Sequence, residues 1–283
     1  MSSSYLNIIT FVITTIFYYL FLNPKITYDI LNDANKHTTY ISNNYLYSAI
    51  YCALVIIVQF ILNASIITTN CGGSITENIG TAGMYTFFPW ILIFGVIIIV
   101  LKIYPGFKSA FADVVGYFYV ASSANKVISE LLIDKDIQDK LDKDTVSTPQ
   151  QKEAMQDAAE SILKICGNTS ILINQIVPSN FNHYWNILKP LMKPKYQVDT
   201  SADAKKIQEE LFNLVVLRDT VGEAMWYIYT GILLTSIVQL QITSKGCVTN
   251  QAAMEQNYQT FLENEQTAQQ AQAQAESTTY TTT

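Results

Sequence analysis

The chain has 283 residues, of which 49% are apolar and only 14% charged, whereas an average soluble domain carries about a quarter charged residues. Three quarters of the charged residues lie in one block, residues 102–223, so the composition indicates a membrane protein with one polar domain. The net charge of −6 and the lack of a basic cluster argue against nucleic-acid binding.

Four uncharged apolar segments are predicted to span a bilayer, since about 20 helical residues cross its hydrocarbon core. They are Tyr5–Leu22, 46–67, 84–101 and 224–242. The first could instead be a signal peptide. However, it begins MSSSY, without a basic residue, and ends FLNPK, without a small-residue cleavage site, so we predict a retained span.

The distribution of Lys and Arg predicts the orientation, because these residues stay on the cytosolic side of a membrane. With four spans, the loop 23–45 and the block 102–223 share one face, and this face holds sixteen of the 17 Lys and Arg residues. Only Lys245 lies on the other face. We therefore predict a cytosolic polar domain and two non-cytosolic termini.

Aromatic residues flank the third and fourth predicted spans. Trp90 and Tyr104 lie near the two ends of the third, and Trp226 and Tyr227 lie at the start of the fourth. Because Trp and Tyr favour the headgroup level of a bilayer, we expect all four at the membrane interface.

The domain 104–223 is predicted to be a small helical bundle. After the turn Tyr104-Pro105-Gly106, residues 107–120 form a helix that lies in the interface or packs on the membrane bundle; a buried domain helix is the alternative. An amphipathic helix follows over 121–144, and its Asp-rich part lacks the Gly and Glu of an EF-hand loop. Further helices are predicted over 149–166 and 171–177, before a Pro-broken stretch at 178–194.

The last long pattern predicts one nearly continuous helix from 202 to 242, capped by Ser201 and free of proline. Its first half would belong to the domain and its second half would be the fourth span. The tail, 243–283, is rich in Gln, Ala and Thr. This composition predicts a weak helix over 252–275 and disorder in the final third of the tail.

No motif for catalysis, cofactor binding or metal binding is recognisable, so we expect no enzyme and no cofactor. His37 and His183 lack neighbouring metal ligands. The polar residues of the spans, among them Gln59, Asn63 and Gln239, more often bond between helices than line a transport pathway.

Cys71 and Cys247 each follow a span and lie on the same predicted face, so a disulfide between them is a candidate. Two free thiols beside glycines are the alternative.

Two stretches carry a family resemblance. They are GTAGMYTFFPWILIFGVIIIVLKIYPGFKSAFADVVGYF at 80–118 and LRDTVGEAMWYIYTGILLTSI at 217–237, the latter followed by Gly246-Cys247. Together they cover about a fifth of the chain and resemble a multi-span protein of the inner virion membrane of nucleocytoplasmic large DNA viruses. The resemblance implies no catalytic residues.

The resemblance implies a structural membrane protein that links the internal bilayer of a virus particle to capsid or minor capsid proteins. The alternative is an oligomeric channel or membrane-permeabilising protein, for which self-association would be required. A third reading is an organelle protein of a protist with an AT-rich genome.

Overall fold

The computed structural model describes residues 3–72, 74–132, 169–198, 201–245 and 251–278. It shows an all-α multi-pass membrane protein, with no β-strand in these ranges. Four helical stretches are long and apolar enough to cross a bilayer, namely Tyr5–Leu22, Ala34–Cys71, Ile75–Ile103 and Ala202–Ser244. Each contains one of the predicted spans.

The first two spans form a pair joined by a short connection. Helix α1, Ser3–Phe17, continues as a π-helical turn, Tyr18–Leu22, and is followed by the short α2, Tyr28–Asn32. Helix α3 covers Ala34–Cys71 and begins at an Asp33 cap, whose carboxylate accepts from the amides of Asn35 and Lys36. The connection 23–45 between the first two predicted spans is therefore mostly helical, because the capped helix starts twelve residues before the apolar segment.

The third span is one helical stretch with an irregular centre. Helix α4, Ile75–Pro89, starts at a Ser74–Glu77 capping box. Pro89 cannot donate a backbone hydrogen bond, and the chain passes through a π-helical turn, Trp90–Gly95, before α5, Val96–Ile103. The helix thus begins nine residues before residue 84, the predicted start of the span.

The segment after the Tyr104 turn packs lengthwise on the last long helix. It comprises a 3₁₀ turn Pro105–Lys108, α6 Ser109–Phe111, a π-helical turn Ala112–Gly116 and α7 Tyr117–Leu131. A Cβ on Gly116 would lie 2.5 Å from the carbonyl oxygen of Arg218, so glycine allows the two backbones to meet. Val114 and Phe118, on the opposite face, are exposed. The segment therefore packs with one face on the last long helix and leaves the other face exposed, so it is not a fully buried helix.

The polar domain is completed by α8, Thr169–Gln175, and α9, Phe181–Leu188, with 3₁₀ turns at Pro178–Asn180, Lys189–Leu191 and Pro194–Tyr196. Its core contains Phe181, Trp185 and Phe212, and Ile26 of the first connection packs into it. The predicted helix 171–177 is confirmed with slightly different bounds. The predicted helix over 121–144 is helical to Leu131, and its remainder from 133, like the predicted helix 149–166, lies outside the described residues.

Helix α10, Ala202–Lys245, spans 44 residues and is about 66 Å long at 1.5 Å per residue. Ser201 caps it, since its hydroxyl accepts from the amide of Ala204 at 3.0 Å. The predicted continuous helix from the domain into the fourth span is confirmed. The tail helix α11, Gln251–Thr278, is longer than the predicted 252–275 and occupies part of the stretch where disorder was expected.

Candidate functional site at the end of the spans

Four charged side chains meet where the apolar spans join the polar domain, and we call them the charge cluster: Lys102, Lys108, Asp219 and Glu223. The Glu223 carboxylate lies 2.9 Å from the Lys102 ammonium and 2.8 Å from that of Lys108. Lys108 also lies 3.0 Å from Asp219. Both carboxylates come from α10, where a spacing of four residues places them on one face.

The cluster is largely removed from water. The side chains of Lys102 and Glu223 are each only 5% exposed, and that of Lys108 is 13% exposed. Asn44 of α3 accepts from Lys102 at 3.0 Å, and the Tyr19 hydroxyl donates to Glu223 at 3.4 Å. Four helical stretches therefore contribute to one buried, hydrogen-bonded set of charges.

The protonation of Lys108 follows from these neighbours. Burial alone would lower the pKa of this ammonium, but the carboxylates of Glu223 and Asp219 outweigh burial, so its pKa is raised. Lys108 is therefore charged throughout the physiological range. Because the charges are buried and paired, removing one partner is expected to destabilise the protein much more than breaking a surface pair would.

A second buried cation, Arg218, lies one turn further into the domain. Its side chain is 1% exposed, donates to the carbonyl oxygen of Ile173 in α8, and lies 3.9 Å from the Asp113 carboxylate. Burial raises the pKa of Asp113, with the Arg218 charge acting in the opposite direction. Asn174 donates to the Asp113 carbonyl oxygen at 3.0 Å. Arg218 thus joins α10 to α8 and to the π-helical turn 112–116.

The polar residues within the spans bond to one another. Asn63 of α3 accepts from Asn7 of α1 at 2.8 Å and from Gln239 of α10 at 3.1 Å. It also donates to the Thr86 hydroxyl of α4 at 2.9 Å. Gln59 donates to the Asn7 carbonyl oxygen at 3.2 Å. The prediction that Gln59, Asn63 and Gln239 bond between helices is confirmed, and Asn63 connects all four spans.

The predicted interface aromatics divide into two pairs. Trp90 and Tyr227 are fully buried in the bundle core, where both pack against Phe94. Because both side chains are 0% exposed, neither reaches the surface of the bundle, where the prediction placed them. Tyr104 is 64% exposed. Trp226 donates to the Phe107 carbonyl oxygen at 2.9 Å, at the level of the charge cluster.

The cysteines and histidines are described only in part. Cys71, the last residue of α3, is disulfide-bonded, whereas Cys52 is free. Cys247 lies outside the described residues, so its pairing with Cys71 stays a prediction. His37 stacks on Tyr40, and His183 contacts Tyr184 edge-on. Within the described ranges, no group of three or more His, Cys, Asp or Glu side chains could hold a metal ion.

Sequence reasoning did not find the charge cluster. The four-residue spacing of Asp219 and Glu223 is visible, as is the position of Lys102 and Lys108 on either side of a turn. Their meeting depends on how α5 and α10 pack, which no local pattern encodes. Asp113 and Arg218 are brought together in the same way.

Known proteins offer no further guide to this arrangement. The chain matches no protein family, no curated protein and no solved structure.

Proposed function

We propose that the chain is a structural membrane protein of a large DNA virus particle, which links the internal bilayer to capsid or minor capsid proteins through its polar domain. The viral setting rests on the sequence resemblance of 80–118 and 217–237. The linking role rests on the continuity of α10, which belongs to the domain core through Phe212 and to the bundle core through Leu234. A protein that couples a bilayer to a shell needs such a rigid connection.

The buried charges support the same role. The charge cluster fixes α10 against α5 and α3 where the spans end, and Arg218 fixes α10 against the domain. A flexible joint at this level would require charged side chains that are exposed to solvent and have no ion-pair partner. The structure instead has a paired Lys102 and Glu223, each 5% exposed, and an Arg218 side chain that is 1% exposed.

The rival function, an oligomeric channel, gains less support. The polar side chains Asn7, Asn63 and Gln239 are buried and bond to one another, so they do not form a polar stripe on the outside of the bundle. A channel built by self-association would need such a stripe facing its pore.

Site-specific photo-cross-linking of the full chain in assembled particles tests the proposal. A photoreactive residue at Ile187, which is 43% exposed on the domain, should yield adducts with capsid or minor capsid proteins. The matched control is Ile75, 57% exposed at the far end of the bundle, which should give no such adducts. Self-adducts at both positions, together with ion conductance in planar bilayers, would contradict the proposal and favour the channel.

The predicted orientation needs a separate test. In sealed membranes, a protease added to the cytosolic side should cleave the polar domain and leave a tag at the C-terminus protected. Cleavage of both on the same side would contradict the four-span topology and the linking role with it.

A further inference from the structure

A cavity of about 840 Å³ lies beside the charge cluster, between the end of α1, the start of α3 and α10. We call it the boundary cavity. Its volume falls within the range of small-molecule sites, which are mostly apolar with a few polar groups. Its lining has this character, with an apolar majority and a polar set near the charge cluster.

The span side of the cavity lining is mainly apolar, whereas the domain side mixes apolar and polar side chains. Ile16 and Leu20 of the first span and Ile228 of the fourth form the apolar part. The polar part holds Lys25 and His37, together with Asn44 and the charge cluster. A ligand with an apolar chain on the span side and a polar group on the domain side would match this lining.

The apolar end is open towards the bilayer. Leu20 is 66% exposed and Ile16 is 50% exposed, and both belong to a span that is otherwise surrounded by lipid or by helices. A hydrocarbon chain of a ligand that lies along Leu20 and Ile16 could enter the cavity from the side, without leaving the hydrocarbon region of the bilayer.

The charge of the polar end favours an anion. Lys25, Lys102 and Lys108 are opposed there by only two carboxylates, Asp219 and Glu223, so the lining carries one net positive charge with His37 neutral. Lys102 and Lys108 are already paired. Lys25 is exposed and makes no ion pair with any described residue, so it is the cation that remains to bind a ligand.

We propose that the boundary cavity binds one anionic phospholipid, with its phosphate group at Lys25 and an acyl chain along Ile16 and Leu20. The site lies at the level where lipid phosphates meet a protein that spans the bilayer, on the face that carries the basic residues. This inference goes beyond the proposed function and does not depend on it.

The test uses the full-length protein, delipidated in detergent and titrated with phosphatidylserine, phosphatidylcholine or glycerol 3-phosphate under native mass spectrometry. We expect one phosphatidylserine per chain, retained more tightly than phosphatidylcholine, and no comparable binding of glycerol 3-phosphate. Lys25→Glu should weaken phosphatidylserine binding at least fivefold, since one basic residue near a membrane surface changes affinity by about that factor.

The matched control is Lys36→Glu, the same charge change outside the cavity, at a residue whose side chain is 60% exposed. It should change binding less than twofold. Equal binding of the two phospholipids, or equal weakening by the two variants, would overturn the proposal. Binding of glycerol 3-phosphate as tight as that of phosphatidylserine would also overturn it, because the site would then recognise a soluble phosphate and not a lipid.

Discussion

Replacing Glu223 by Gln should destabilise the protein strongly, because the side chain keeps its shape but loses the charge that two buried lysines share. Within the described residues, Glu223 is the carboxylate that pairs with Lys102, at 2.9 Å, whereas Lys108 keeps Asp219 at 3.0 Å. Removing one partner of a buried ion pair costs about 3–5 kcal/mol. Because one of the two lysines retains a partner, we expect the lower end, about 3 kcal/mol.

The assay is equilibrium unfolding of the purified protein in mixed micelles, with increasing sodium dodecyl sulfate and tryptophan fluorescence as the signal. Asp33→Asn is the matched control. It also neutralises a carboxylate, but one in an exposed pair with Lys36 at 3.8 Å. Asparagine still caps α3, so we expect a cost below about 1 kcal/mol.

A double variant separates the loss of pairing from a general disturbance of packing. Glu223→Gln combined with Lys102→Met removes the orphaned ammonium. The free energy of unfolding that the double variant loses should therefore be at least about 1 kcal/mol smaller than the sum of the losses in the two single variants. Additive single effects, or a Glu223→Gln cost no larger than that of Asp33→Asn, would refute the reasoning.

Three further predictions use the same unfolding assay. Asn63→Leu removes three hydrogen bonds between spans and should cost about 2 kcal/mol, at about 0.6 kcal/mol per bond in a membrane. Gly222→Ala should destabilise by about 1–3 kcal/mol because its Cβ would lie 2.6 Å from a neighbouring methyl group, whereas Gly80→Ala, with open space around it, should not. The Tyr196 hydroxyl donates to the Glu130 carboxylate at 2.7 Å and lowers the pKa of that carboxylate. This hydrogen bond therefore stabilises the fold above about pH 4.5 and is lost when Glu130 becomes protonated at lower pH. In Tyr196→Phe, the free energy of unfolding should fall less steeply on acidification.

The long elements could be predicted from the sequence because their signals are local. The 44 residues of α10 contain no proline, follow a Ser cap and carry no charge from 224 to 244, so both the helix and its entry into the membrane are visible. The start of α3 was not predicted, because its local signal is misleading. Residues 34–45 are polar and resemble a loop, although the Asp33 cap before them marks a helix start.

The error over Trp90 has a physical origin. An aromatic residue near the edge of an apolar window is expected at the headgroups, but the window began at residue 84 while the helix begins at Ile75. Residues 75–83 include Glu77, Asn78 and two glycines, and these lower the hydropathy without ending the helix. Trp90 therefore lies in the middle of the helical stretch Ile75–Ile103, where its ring packs on Phe11 and Phe94.

The charge cluster explains how spans without charge can still have a defined register. Apolar helices in lipid have little preference for one register, because sliding changes the free energy little when lipid and protein are equally apolar. Lys102 is the first charged residue after the third span, and Glu223 is the last before the fourth. Their contact forces α5 and α10 to leave the membrane at one level, and Asn63 fixes the spans again deeper in the bundle. With α10 held at both depths, a force on the polar domain must be carried into the bilayer by the whole bundle, because no single helix can slide without breaking a buried polar contact.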